Sequence, residues 1–108
     1  MTTDTEARRL KLPTIRDLAA LVRSIKQDID PDYHAHEDDD TPGILFTVGW
    51  DTSGEWNYQT GDNSFTGSAY SYPHWAVVGV YRSSNSRDVA RDIRKQLADI
   101  AYSDALYR

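Results

Sequence analysis

Residues 44–60 read ILFTVGWDTSGEWNYQT, and the way this stretch pairs with itself decides the fold. Ile44, Phe46, Val48 and Trp50 alternate with Leu45, Thr47 and Gly49, the period-two pattern of a half-buried strand. Asp51-Thr52-Ser53-Gly54 is rich in turn formers, and Glu55 to Thr60 reads as the returning strand. Two registers compete. A four-residue loop pairs Trp50 with Glu55 and puts Phe46 and Val48 on one face with Asn57 and Gln59. A three-residue loop, Thr52-Ser53-Gly54, pairs Trp50 with Trp56 and Val48 with Tyr58. The second register aligns the two apolar sets. It also places Gly54 where a left-handed residue closes such loops. Ile44, Phe46, Val48, Trp56 and Tyr58 then become core positions, with Thr47, Glu55, Asn57 and Gln59 facing water. Trp50, at the end of the hairpin, is expected to be partly exposed.

Helices are written on either side of this hairpin. Thr14 follows Pro13 and can cap a helix, with Asp17 near the positive end of its dipole. Ile15, Leu18, Leu21, Val22, Ile25 and Ile29 recur at three- and four-residue steps and so share one helical face. Arg16, Arg23 and Lys26 lie off that stripe, and Asp30-Pro31 is expected to end the helix. Towards the C-terminus, Trp75 to Tyr81 (WAVVGVY) is apolar almost throughout. That run is expected to be a central strand covered on both faces, with Val77 in the core. Ser86 is expected to cap a second helix, with Val89, Ile93, Leu97 and Ile100 on its buried face. Between the strands, residues 61–73 (GDNSFTGSAYSYP) read either as a long loop or as a loop plus an irregular strand near Phe65 to Tyr70.

The element order is therefore α-β-β-(β)-β-α. Two amphipathic helices must bury their stripes, and one antiparallel sheet of three to four strands offers the face. The expected fold is an α+β two-layer sandwich with both helices on one side and a largely polar, open face on the other. A single domain over residues 13–104 accommodates it. Residues 1–12 are expected to be a flexible tail, the chain to fray after Tyr102, and residues 105–108 to lie outside the domain.

Charge is distributed unevenly along the 108 residues. From Gln27 to Tyr81 there is no Lys or Arg, but there are ten carboxylates, all three Trp and all three His. The flanks carry all twelve basic residues against seven acids, and the net charge is −5. Such an acidic balance argues against direct binding to nucleic acid, which needs cations against phosphate. There is no Cys, which excludes disulfides and thiolate metal sites. No apolar run approaches the roughly 20 residues of a membrane span. No apolar leader precedes Pro13, and a cytoplasmic protein is expected.

No motif fixes a reaction. The segment 30–43 (DPDYHAHEDDDTPG) holds His34 and His36 in i, i+2 spacing, followed by Glu37, Asp38, Asp39 and Asp40. Imidazole and carboxylate are ligands for Zn, Mn or Fe, so the alternative reading is a metal-binding domain or metal-dependent enzyme using His34, His36 and Asp38. The run lacks the spacing of a calcium loop, and no G-x-S-x-G turn or phosphate loop is present. No cofactor is expected. The primary expectation is a non-enzymatic interaction protein that binds a basic partner protein, such as one that itself handles nucleic acid. Its surface would be formed by Asp32, Glu37, Asp38, Asp39, Asp40, Trp50, Asp62, Tyr70 and Tyr72. Tyr in a Gly/Ser/Asn-rich loop supplies rigid contact area, and the acids supply the field. Small acidic inhibitors of mobile elements and toxin-neutralising immunity proteins share this profile, a likeness of size and charge alone. A homo-oligomer built on the open sheet face or a free edge is the third reading.

Overall fold

The computed structural model describes residues 10–29, 43–61 and 67–106. Helix α1 spans Ile15–Gln27, strand β1 Ile44–Trp50, β2 Trp56–Thr60, β3 His74–Val80 and helix α2 Ser86–Leu106; a short 3-10 turn covers Ser68–Ser71. The chain is α+β, with two helices packed on a three-stranded antiparallel sheet of order β2-β1-β3.

The hairpin takes the three-residue register. Trp50 lies opposite Trp56 and Val48 opposite Tyr58. Asp51 N–H donates to Glu55 C=O at 2.8 Å, closing the loop, and Gly54 sits at φ +104°, where an L side chain is strained. Helix α1 begins as its composition dictates, with the Thr14 hydroxyl accepting from Asp17 N–H at 3.1 Å. The regular turns of α1 stop at Gln27, and Ile29 remains buried just beyond them.

Under the helices lie Phe46, Val48 and Trp50 of β1 and Ala76 and Val80 of β3, all essentially sealed from water. Leu18, Ala19, Val22 and Ile25 of α1 and Ala90, Ile93 and Leu97 of α2 close the core from above. Burying each large side chain contributes about 1.5–3 kcal/mol. At the open side of β2 the packing is looser. Trp56 is half-buried, and Tyr58 is 40% exposed although its ring meets Phe46 edge-on at 6.0 Å.

Four expectations are corrected. Trp50 is not partly exposed; its relative exposure is 0%. The reason is a contact remote in sequence, for Leu10 and Leu12 pack on the core and the Trp50 indole N–H donates to Lys11 C=O at 3.2 Å. A buried indole needs such an acceptor. Secondly, β3 is an edge strand and β1 is the centre. β3 is apolar on both faces because one face lies under the helices and the other carries Trp75 and Val77. Val77 is accordingly half-buried on the outer face and not beneath the helices. Thirdly, Asn85 caps α2 in place of Ser86, its side-chain oxygen accepting from the N–H groups of Arg87 and Asp88 at 3.0 and 3.1 Å. Finally, α2 continues to Leu106, past Tyr102. In the 61–73 segment the described residues form a 3-10 turn and no strand.

Candidate functional site

The face of the sheet turned away from the helices is where this molecule departs most from a closed, polar-coated globule. Odd-numbered positions of all three strands point there. The cross-strand register sets them in rows: Asn57, Gly49 and Trp75, then Gln59, Thr47 and Val77, then Leu45 beside Gly79. No strand position on this face is charged.

One part of the face is covered. The 3-10 turn lies directly over Gly49, so close that a Cβ built there would overlap the Ala69 carbonyl group. Two side-chain bonds tie the turn to β2. Ala69 N–H donates to the Gln59 amide oxygen at 2.9 Å, and the Ser68 hydroxyl donates to Tyr58 C=O at 3.1 Å. Ala69 and Thr47 are buried beneath this arrangement. The turn also delivers Tyr70 against Trp75, ring centroids 4.8 Å apart and nearly perpendicular, a favoured aromatic geometry.

The rest of the face is apolar and open. Trp75 is 41% exposed, Tyr81 38% and Leu45 37%. The Tyr81 ring leans across Gly43 and Gly79; a Cβ at Gly43 would collide with the ring and with the Val80 carbonyl, whereas one at Gly79 would only touch the ring closely. The outer face is therefore mixed, polar at Asn57, Gln59 and Thr47 and apolar at Leu45, Trp75 and Val77, where the expectation was a largely polar one.

The residues expected to form a partner surface divide clearly. Tyr70 is on this face, and Tyr72 follows it, half-buried, at the end of the turn. Trp50 is on the opposite side of the sheet under the helices and cannot meet a partner. Asp32, Glu37, Asp38, Asp39, Asp40 and Asp62 lie outside the described residues, as do His34 and His36. Among the described residues no cluster of three His, Asp or Glu could hold a metal ion. Nor is any helix among them long and apolar enough to cross a membrane.

Sequence reasoning missed Trp75, Tyr81 and Leu45. WAVVGVY reads as a continuous apolar run covered on both faces, whereas in the structure the outer face over Trp75 and Tyr81 is open. No family model matches this chain, and no curated protein or solved structure matches it.

Proposed function

We propose that this chain is a non-enzymatic interaction protein that binds a basic partner protein through the outer face of its sheet. The observation that carries this reading is the set Trp75, Tyr81 and Leu45, each large, apolar and 37–41% exposed, beside Tyr70. Trp and Tyr are the side chains that most often dominate binding energy at protein interfaces. Several large apolar groups exposed on one face are a feature of interaction surfaces. The preference for a basic partner rests on charge. The whole sheet comes from the segment Gln27 to Tyr81, which has ten carboxylates and no cation. Arg and Lys of a partner can stack on the exposed rings, and the net charge of −5 raises the encounter rate with a basic protein.

The test is comparative capture from a native extract, using wild type, Trp75→Ala and Tyr81→Ala. The expected result is one basic protein retained at low salt, released at high salt, and held at least about tenfold more weakly by Trp75→Ala, the loss of a hot-spot residue. Equal retention by all three proteins would remove the outer face from the proposal. A concentration-dependent dimer in sedimentation that Trp75→Ala dissociates would assign the face to a second copy of the chain instead.

A further inference from the structure

The helix layer carries a feature of opposite sign. Arg23 and Lys26, one helical turn apart on α1, face the connection between β3 and α2. Between them and residues 83–87 lies an open cleft of about 560 Å³, with Arg87 on its far wall. A second recess of about 320 Å³ uses Arg23 and Lys26 again, with Arg82 and Gln27 completing it. Every residue lining either recess is polar, and none is a carboxylate.

The cations carry unused donors. Lys26 Nζ donates to Ser84 C=O at 2.7 Å, which fixes the ammonium where the two recesses meet and leaves it two further donors. Arg23, Arg82 and Arg87 make no ion pair among the described residues, whereas Asp88, the nearest acid in α2, is engaged with Arg91 at 3.3 Å. Asn85 already satisfies two amides of the helix start, so side chains supply the donors here, not the helix end. Guanidinium groups match phosphate oxygens in pairs, and neighbouring serine hydroxyls extend that match.

We propose that this double recess binds a small ligand bearing two linked phosphate groups. One phosphate sits between Arg23, Lys26 and Arg87, and the other between Arg23, Lys26 and Arg82. With no aromatic or aliphatic wall, recognition falls on the diphosphate and not on a ring attached to it. A long polyanion is disfavoured by the net charge of −5 on the chain as a whole.

Isothermal titration calorimetry of the full chain with inorganic pyrophosphate, inorganic phosphate and a short DNA duplex tests this. Saturable binding of one pyrophosphate per chain is expected, with a Kd of about 0.1 mM at low salt and binding of single phosphate about tenfold weaker. Arg23→Gln, at an exposed position shared by both recesses, should weaken pyrophosphate at least about tenfold without moving the melting temperature. Arg87→Gln should erase the advantage of pyrophosphate over phosphate, and Arg91→Gln, outside the cleft, should change neither. No saturable heat up to about 10 mM pyrophosphate, or unaltered binding by Arg23→Gln, would overturn the assignment. DNA bound more tightly than pyrophosphate, and lost in Arg23→Gln, would overturn it in favour of a nucleic-acid backbone.

Discussion

Gly49 is the residue on which the outer face turns. Its missing side chain is what lets the Ala69 backbone rest on the sheet, and the clash a Cβ would make is with a carbonyl group, which cannot rotate aside. Gly49→Ala must therefore push the 3-10 turn outward or bend β1. The expected cost is about 1–3 kcal/mol, read as a lower midpoint in urea unfolding. The same displacement should part Tyr70 from Trp75 and alter the near-ultraviolet circular dichroism of the folded protein. Trp50 makes a different point at this scale. Alternation assigned it to the face of Phe46 and Val48, and that assignment holds. Its depth was not legible, because the acceptor for its indole N–H is Lys11, 39 residues away in sequence. Periodicity describes which way a side chain points within its own strand. It does not describe what later folds over it.

Among the elements, α2 offers the sharpest measurement. Asn85 and Ser86 are both good cap residues, and sequence alone does not rank them. The structure does, since both orphan amides point to the Asn85 side chain. Asn85→Ala should cost about 1 kcal/mol, and Ser86→Ala only a few tenths. Thermal melts of the two variants decide between them, and a larger loss for Ser86→Ala would contradict the assignment. The hairpin was the most legible element, because a single register aligned Val48 with Tyr58, Trp50 with Trp56, and Gly54 with the left-handed site. The position of β3 was the least legible. A strand that is apolar on both faces satisfies a central place in a covered sheet, but it equally satisfies an edge place with an interaction surface. That ambiguity hid most of the candidate site. Tyr70 was visible through loop composition, whereas Trp75, Tyr81 and Leu45 emerge only once the strand order is known.

For the whole molecule the governing feature is segregation of charge between layers. The two helices and the Arg82 corner hold the cations of the described fold beyond Lys11, while the sheet holds none. The described fold therefore presents two unlike surfaces, one uncharged and bearing exposed aromatic rings, the other a polar basic cleft. Segregation of this kind acts through solvent, so its reach shrinks to a few ångströms as salt approaches 1 M.

The three indoles lie at three depths, with Trp50 sealed, Trp56 half-covered and Trp75 open to solvent. Collisional quenching of fluorescence can therefore sample the local ion atmosphere at Trp75. Caesium should shorten its emission lifetime more than iodide does, relative to a free indole standard, because cations gather and anions thin out around a protein of net charge −5. The contrast should vanish in Trp75→Phe and fade in concentrated salt, whereas iodide equal to or better than caesium would mean that the open indole does not lie in an electronegative field.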